Sequence, residues 1–579
     1  MTDEIEDFSA EIRRDSISLN VVVESLSRMF VFVGGIVSSA LLVRAISANQ
    51  WSTSDYSHLR VLMNWNQVLT VLVVLGLATA IVRLVAEYSH DREKIGTVLT
   101  LSFISMTLIF LVVAFATQFL TEQMAQAFGF LVGETPAITN ELRALWILVL
   151  LSILPSAYLL AGKSAFSGFQ RMRRTLIVDI IYNSSRVTIL IVLFAMESIT
   201  ILNVLYMYLA TTMAGFIAAG VLLRRELRAE GIRLHLKGWR LVARPLFYIG
   251  VVFAALAFIS TFFNSIVPLF VDYYGTDFDM ARYSTASNIS QTLRGFLYAP
   301  LAVLLPNISQ LSARGSDREI RERFQASNRV IVPALIFAFG VLFAFAESIL
   351  GTLYGVWALD TTNGISAAQF LMILSPSLLI IPLSGIYTNI LTALNKMKPI
   401  LVIGIAGVII QTVWIILLQP YYGVTIIAFS WVIFIPTLMV YHLYSRKFLK
   451  LNLAKGFIAR SVVLTGIFLI AAIATLQLAR VVTELFSFLS IFQYTTIRSG
   501  AEALFIIPLW YLFIGLAIAC RVMGRSDLEN LKKVLQKIPP AWWVSKPFFR
   551  VLDSYAAKQE MNSQFRETNE AANEDGKVL

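Results

Sequence analysis

The sequence predicts an all-α polytopic membrane protein of about fourteen transmembrane helices, built as two parallel six-helix lobes followed by two extra helices. Of the 579 residues, 57% belong to the hydrophobic class and only 14% are charged. Long apolar runs recur from residue 21 to residue 521, and the first half of the chain resembles the second. These three observations exclude an ordinary soluble enzyme and a single-span receptor.

The apolar runs have the length of membrane-spanning helices. Each is close to the ~20 residues that cross a bilayer, and charged or turn-forming clusters separate them. Continuous Leu, Ile and Val runs favour helices over the short alternating segments of an outer-membrane barrel. The predicted spans are 21–44, 59–82, 95–119, 142–162, 175–196, 200–223, 245–271, 283–309, 330–350, 367–392, 399–418, 424–445, 460–480 and 500–521.

Basic residues orient these spans. Most of the 47 lysines and arginines lie in alternate loops and in the C-terminal tail, whereas the opposite loops contain essentially only Arg282 and Arg498. The positive-inside rule therefore predicts a multi-pass protein of the cell membrane with both termini in the cytoplasm. Because the positive residues orient helices beside an anionic leaflet, the net charge of +11 does not call for a nucleic-acid partner.

Short motifs recur in the same order at an offset of about 226 residues, which indicates an internal duplication. Gln170-Arg171-Met172-Arg173, for example, matches Asn395-Lys396-Met397-Lys398. The offset spans six helices, so both copies have the same orientation. The predicted organisation is a cytoplasmic amphipathic lead-in (1–20), a first lobe (21–223), a basic cytoplasmic linker (224–244), a second lobe (245–445), two further spans (460–521), and a cytoplasmic interfacial helix with a disordered tail (522–579).

Polar residues inside the apolar runs predict a wet cavity between the lobes. A charge at mid-bilayer costs about 2.5–3.5 kcal/mol on insertion scales, so such residues usually face protein or water. Spacings of three or four residues place the polar side chains of the second and eighth spans on one face of each helix. These side chains are Arg60, Asn64 and Gln67 in the second span and Asn288, Gln291 and Arg294 in the eighth.

Charged residues of the first and fifth spans complete the candidate site. Arg28 follows Glu24 by one turn, and Arg186 shares a helix face with Asp179. For each of these groups an alternative to lining the cavity remains open. Glu24 and Arg28 can satisfy each other as an ion pair one helical turn apart. Arg186 and Arg294 can each form a buried ion pair with an acid on another helix. An excess of intramembrane guanidinium favours an anionic ligand, because the planar fork of arginine matches phosphate. Glu24 and Asp179 are the candidates for coupling to protons or ions.

Sequence motifs for a resident metal, a cofactor or ATP are not visible. The four histidines are scattered, and there is no Walker A loop. Asp277-Phe278-Asp279 has the form of a metal–diphosphate motif, but in a short acidic loop this pattern is more often a solvated turn. We therefore expect a transporter rather than an enzyme, with energy from an H⁺ or Na⁺ gradient, the membrane potential or downhill substrate flow.

Several longer phrases resemble one known group, the polysaccharide-transporter branch of the multidrug/oligosaccharidyl-lipid/polysaccharide (MOP) exporter superfamily. The resemblance covers roughly residues 20–445. Its phrases, in order, are Leu42-Val43-Arg44-Ala45-Ile46-Ser47, Asp55-Tyr56-Ser57, Gly168-Phe169-Gln170-Arg171-Met172, Arg282-Tyr283-Ser284-Thr285-Ala286, Leu305-Pro306-Asn307-Ile308-Ser309 and Leu391-Thr392-Ala393-Leu394-Asn395-Lys396.

The resemblance implies a MATE-like fold and a flippase that moves a polyprenyl phosphate- or diphosphate-linked oligosaccharide from the cytoplasmic to the outer leaflet. It implies that cavity cations hold the head group, which suggests Arg28, Arg186 and Arg294. The expected partners are this substrate, membrane lipids, and glycosyltransferases or a polymerase of the same pathway, with the protein itself a monomer. The alternatives are a MATE-type drug/cation antiporter and a membrane glycan polymerase or glycosyltransferase.

Overall fold

The computed structural model describes most of the apolar region of the chain and shows it to be helical. The described residues are 23, 27–48, 50–88, 91–119, 136–297, 308, 317–362, 364–394, 396–451, 453, 456–485, 495–520 and scattered positions from 522 to 549. No β-strand occurs in these ranges. The predicted lead-in (1–20), Glu24 and most of the predicted C-terminal interfacial helix and tail lie outside the described residues.

The described residues of the predicted first lobe form seven helices. Its hydrophobic core includes the fully buried Tyr56 and Phe166, and α5 packs against α2, α3 and α7. The helices are α1 (Ser27–Ser47), α2 (Thr53–Val74), α3 (Leu77–Glu87), α4 (Arg92–Phe119), α5 (Pro136–Gly168), α6 (Met172–Ala195) and α7 (Ile201–Ala229).

A break divides the predicted second span into α2 and α3, which meet at 41°. Leu75 and Gly76 both have positive φ angles, of 44° and 67°. A Cβ atom at Gly76 would overlap the carbonyl oxygen of Gly250 and the backbone nitrogen of Ala254. Only glycine allows this backbone-to-backbone approach of the first lobe to the second, because it combines a left-handed conformation with no side chain.

In the ranges that the structure describes, the predicted second lobe has ten α-helical segments, several of them kinked or divided. A π-helical turn, Phe262–Ile266, joins α8 to α9, and a 3₁₀ turn, Phe429–Ile433, joins α16 to α17. The segments are α8 (Trp239–Thr261), α9 (Val267–Tyr274), α10 (Asp277–Leu297), α11 (Asp317–Ala344), α12 (Ala346–Tyr354), α13 (Ala367–Leu374), α14 (Ser377–Ala393), α15 (Met397–Tyr422), α16 (Val424–Ala428) and α17 (Phe434–Leu449).

Three final helices pack on the second lobe: α18 (Phe457–Leu485), α19 (Thr495–Ala503) and α20 (Ile506–Ala519). The buried Glu502 accepts a hydrogen bond from Ser348 at 2.7 Å and faces Arg498 at 3.4 Å. Arg480 forms an ion pair with Glu347 at 2.5 Å. The contacts of Glu502 with Ser348 and of Arg480 with Glu347 attach α19 and α18 to α12 of the second lobe.

The helical fold class is confirmed, whereas the count of fourteen spans is not. Among the described residues, twelve helices are long and apolar enough to cross a membrane, or thirteen if the bent α2–α3 pair is one span. The predicted eighth span, 283–309, overlaps α10, which is a 21-residue helix that does not qualify as a span by composition. The polar residues predicted to line a cavity, such as Asn288 and Gln291, lower the hydrophobicity of this helix.

The duplicated motif forms the same local structure in both lobes. Arg171 precedes α6 with φ and ψ of −98° and 56°, and Lys396 precedes α15 with −96° and 64°. Both turns lead into a helix that begins with methionine. The fifth predicted span of each lobe therefore begins after the same kind of turn, as expected for two copies of one orientation.

Ion pairs join neighbouring segments at both ends of the molecule, outside the apolar runs. The carboxylate of Glu226 is buried and lies 2.9 Å from Arg171 and 2.6 Å from Arg174, which joins α7 to α6. At the other end of the molecule, the fully buried Arg282 lies 2.9 Å from Asp360. Hydrogen bonds from Thr362, followed in size by the charge of Arg282, lower the pKa of Asp360.

Candidate transport site between the lobes

A polar cavity lies where helices of the two lobes meet. It has a volume of about 320 Å³, at the lower end of the ~300–1,000 Å³ typical of small-molecule sites. Of the residues that line it, Val71 alone is apolar and none is charged. The lining residues are Asn66, Gln67, Thr70 and Val71 from α2, Ser156 from α5, Thr261, Asn264 and Ser265 from the end of α8 and the π turn, and Gln291 from α10.

Amide side chains connect the lobes across this cavity. The Ser265 hydroxyl donates to Gln67 Oε1 at 2.7 Å. Gln291 Nε2 donates to the Asn264 carbonyl at 3.2 Å and to Ser287 Oγ at 2.9 Å. Each amide retains further donor or acceptor capacity, since a carboxamide carries two N–H groups and two acceptor lone pairs. The cavity can therefore form hydrogen bonds with a neutral, hydroxyl-rich ligand.

A proline explains why the Asn264 carbonyl is available. Pro268 has no N–H, so the carbonyl four residues earlier, that of Asn264, loses its helical donor. Gln291 supplies the missing hydrogen bond from another helix, in the way that neighbouring helices satisfy backbone groups freed by proline. The π turn at this point is a helix irregularity of a kind frequent at functional sites.

Arg294 lies at the margin of the cavity. Its Nη2 donates to Asn264 Oδ1 at 2.9 Å, which joins it to a cavity-lining residue. The predicted set of Gln67, Gln291 and Arg294 is thus brought to one place by α2, the π turn and α10. Asn64 and Asn288 are half-buried, and neither lines the cavity.

Arg186 occupies a separate position in the first lobe. Its Nη2 donates to the Tyr208 hydroxyl at 3.3 Å, and its guanidinium carbon lies 5.1 Å from the centre of that ring. Its Nε is buried without a hydrogen-bond partner, and no carboxylate in the described ranges pairs with it. Buried N–H donors in proteins are nearly always hydrogen-bonded. We therefore expect the Arg186 Nε to donate to a ligand or to water.

Arg60 is a further intramembrane cation that is held by a tyrosine rather than an acid. Its Nε and Nη2 donate to the Tyr56 hydroxyl at 2.9 and 2.6 Å. The hydroxyl of Thr285, on α10 of the second lobe, lies 3.4 Å from the same tyrosine oxygen. Arg60 therefore lies close to the interface between the lobes, on the polar face that the sequence indicates.

Asp179 binds groups of two neighbouring helices. Its Oδ1 pairs with Lys163 of α5 at 2.5 Å, and its Oδ2 accepts a hydrogen bond from Ser27 of α1. Arg28, the next residue of α1, is half-buried. Asp179 is thus in an ion pair with a lysine and does not pair with Arg186, which follows it by two turns. Its predicted coupling role stays a prediction.

Contacts between α12 and α1 join the lobes at one end of the interface, the end that the positive-inside rule assigns to the outside. Arg44 donates from Nε to the Leu353 carbonyl at 2.9 Å and from Nη2 to the Thr352 carbonyl at 2.7 Å. These carbonyls belong to the last turn of α12, where backbone acceptors are unpaired and the helix dipole is negative. We call this contact the Arg44 latch. The Tyr354 hydroxyl adds a bond to Ser39 at 3.1 Å.

Several residues of the cavity are not among those that helix periodicity predicts: Asn66, Thr70, Ser156, Thr261, Asn264 and Ser265. Most are hydroxyl residues or single amides in apolar surroundings, which are common in membrane helices of any function. Asn66 lies outside the helix face that carries Arg60 and Gln67. It contacts α5 instead, where its Nδ2 donates to Ser152 Oγ at 2.7 Å. Pro268 is the sequence feature that could have indicated Asn264, because a proline frees the carbonyl four residues before it.

A family comparison identifies the chain. The model of a family described as "Polysaccharide biosynthesis protein" matches residues 20–312, half of the chain. The chain belongs to this polysaccharide biosynthesis family. The match confirms the resemblance predicted from the motifs, and it includes both lobes' contributions to the cavity. No curated protein matches the chain by sequence.

Solved structures of a flippase and of transporters are similar to this member of the polysaccharide biosynthesis family. A structure of the lipid II flippase MurJ in an inward closed conformation has a TM-score of 0.63 at 14% identity and covers 86% of this chain and 100% of its own. An inward-facing multidrug resistance MATE transporter has a TM-score of 0.58 at 11% identity, covering 74% and 98%. A MOP superfamily transporter from Pyrococcus furiosus gives 0.56 at 11%, covering 75% and 95%. At these identities the similarity establishes the fold.

Proposed function

We propose that this protein is a flippase that moves a lipid-linked oligosaccharide, on a polyprenyl phosphate or diphosphate carrier, from the cytoplasmic to the outer leaflet. The observation that supports the proposal most directly is the interlobe cavity, which is lined by amides and hydroxyls and contains no carboxylate among its lining residues. Membership of a polysaccharide biosynthesis family and a transporter fold agree with it.

The cavity and its surroundings offer two kinds of recognition. Amide and hydroxyl side chains such as Gln67 and Gln291 suit the hydroxyl groups of a glycan, since both can donate and accept hydrogen bonds. The guanidinium groups of Arg294 and Arg186 suit a phosphate, because their N–H donors form a planar fork. We propose that Arg294 holds the carrier phosphate beside the glycan and that Arg186 and Arg28 contact it at other stages of transport.

Transport by alternating access requires that the interface open first to one side and then to the other. The Arg44 latch closes one end by contacts between α1 and α12. Opening that end costs the hydrogen bonds of the latch, and release of the substrate to the outer leaflet must follow their rupture. We propose that Asp179 takes part in coupling by exchanging its Lys163 partner for a proton or ion. Glu24, in the first predicted span, has the same proposed role.

The test uses the double variant Arg186→Ala/Arg294→Ala in reconstituted vesicles that contain a fluorescent lipid-linked oligosaccharide. We expect normal insertion and folding but a loss of translocation, because the carrier phosphate loses both proposed cationic contacts. The matched control is Arg224→Ala/Arg225→Ala, which removes the same charge from exposed positions at the end of α7. Translocation at the parental rate by the Arg186/Arg294 variant would disprove the site assignment.

The coupling proposal has a separate test. Dissipating the pH gradient across the same vesicles should slow the initial rate, and Asp179→Asn should remove that sensitivity. An initial rate that is independent of the pH gradient, the sodium gradient and the membrane potential would leave downhill substrate flow as the energy source and would remove the coupling role of Asp179.

The alternatives predict different outcomes. A MATE-type antiporter binds cationic drugs and would need acidic groups, whereas the lining residues of this cavity are neutral and the charged group at its margin is a cation, Arg294. Deletion of the gene should therefore leave drug susceptibility unchanged. A polymerase or glycosyltransferase would alter glycan chain length, whereas loss of a flippase makes unflipped single units accumulate. We propose that the protein acts as a monomer beside the glycosyltransferases that make its substrate.

A further inference from the structure

A second, larger cavity opens on the outer surface of the helix bundle, at the end of the molecule that the positive-inside rule assigns to the cytoplasm. Its volume is about 590 Å³, within the ~300–1,000 Å³ range of ligand sites. It lies between α3 of the first lobe and α8, α15 and α17 of the second. We call it the α3–α15 groove. It shares no lining residue with the interlobe cavity.

Three basic residues converge on the α3–α15 groove from two parts of the chain. Arg83 comes from α3, and Lys396 and Lys398 come from the turn that leads into α15. All three side chains are exposed, and no ion pair with a carboxylate of the described ranges is formed by any of them. Clustered cations without counter-charges form a binding site for an anion.

The remaining walls of the groove are apolar and aromatic. Tyr248 and Val402 are 75% and 67% exposed, and Val440 and Tyr444 form the opposite wall. In a helix bundle that crosses a bilayer, such exposed apolar side chains contact acyl chains rather than water. The tyrosines have an apolar body and a polar hydroxyl, which suits the depth where lipid head groups meet chains.

We propose that the α3–α15 groove binds one anionic phospholipid of the cytoplasmic leaflet. The lipid phosphate binds Arg83, Lys396 and Lys398, and an acyl chain lies along Val402 and Tyr248. The groove has cations at one end and apolar residues beyond them. This order matches the phosphate and the acyl chain of a lipid better than it matches a soluble anion. Basic pockets between transmembrane helices on the cytoplasmic side are known to bind anionic head groups.

The position of the groove gives the lipid a structural role. Arg83 belongs to the first lobe, whereas the lysines belong to the second, so one phosphate connects the two lobes. The wall formed by α8 also carries Gly250, where the backbone of Gly76 makes its close approach. A bound lipid therefore stabilises the arrangement in which α3 and α8 are in contact. This inference is independent of the identity of the transported substrate.

Native mass spectrometry of the purified full-length protein tests the proposal. Phosphatidylglycerol is titrated against phosphatidylcholine with the same acyl chains, and bound lipids are counted. We expect one tightly bound phosphatidylglycerol, and a loss of affinity of about 100-fold in Arg83→Gln/Lys396→Gln/Lys398→Gln, because each basic group near a membrane surface contributes about fivefold. Addition of phosphatidylglycerol should raise the thermal unfolding midpoint of the parent and leave that of the variant unchanged.

Controls separate the lipid site from general electrostatics. Arg224→Gln/Arg225→Gln/Arg228→Gln removes the same charge from exposed positions of α7 and should keep the tight lipid. Val402→Trp fills the apolar wall without a change of charge and should weaken the binding of phosphatidylglycerol. Equal lipid loss in both triple variants would overturn the proposal. Competition by glycerol phosphate at the same concentration as the lipid would also overturn it, since the site would then recognise a soluble phosphate.

Discussion

Removal of the Arg44 latch should increase the exposure of the interlobe cavity to the outside. The latch consists of two charge-assisted hydrogen bonds, at 2.9 and 2.7 Å, to carbonyls of the last turn of α12. Such bonds contribute about 1.5–3 kcal/mol each when buried. Because the Arg44 side chain is exposed and water competes for it, we expect about 1–2 kcal/mol for the whole latch.

The free energy of the Arg44 latch determines how much its removal raises the population of molecules that are open to the outside. If Arg44→Gln destabilises the closed end by about 1–2 kcal/mol, the ratio of open to closed molecules rises by about 5- to 30-fold. The chain contains a single cysteine, Cys520, so Cys520→Ser gives a cysteine-free background. Ser156→Cys then places one small thiol in the cavity, and a membrane-impermeant maleimide added from outside measures its exposure.

The expected result is a 5- to 30-fold faster reaction of Ser156→Cys in the Arg44→Gln background, in proportion to the open population. Arg240→Gln, which removes an exposed arginine at the other end of the molecule, is the matched control and should leave the rate unchanged. Equal rates with and without Arg44, in proteins with the same unfolding midpoint, would refute the conclusion that this contact closes the cavity.

Three further predictions concern stability. Gly76→Ala should destabilise the protein by more than about 1 kcal/mol, because alanine disfavours positive φ and its Cβ meets the backbone of α8; Gly220→Ala, on a helix face with open space, should be neutral or stabilising in the same thermal unfolding assay. Glu226→Gln should cost about 1–3 kcal/mol, since a buried carboxylate loses two arginine contacts, and an unchanged midpoint would contradict this. The lowered pKa of Asp360 means that its stabilisation is present above the ordinary value of 3.8 and is lost as the pH falls through the lowered pKa. The unfolding midpoint of the parent should accordingly fall more steeply below about pH 4 than that of Asp360→Asn, and parallel pH profiles would exclude this contribution.

Part of the site could be predicted because helix periodicity is a local property. The spacing of Gln291 and Arg294 places both on one face of α10 whatever the rest of the chain does, and the same holds for Arg60 and Gln67 on α2. The prediction was less complete where the helix is irregular. The π turn at Phe262–Ile266 inserts an extra residue and rotates the following face, so no regular period reveals that Asn264 and Ser265 point to one cavity.

Sequence alone determined the membrane class, the helical fold, the family resemblance and the expected orientation, because hydrophobic length, loop charge and motif order are properties of the linear chain. The tertiary structure decided which polar faces meet. Gln67 and Ser265 form a hydrogen bond across 198 positions of sequence, and Arg44 reaches carbonyls more than 300 positions away. Such partners are selected by the packing of whole helices against one another, which no local pattern of residues encodes.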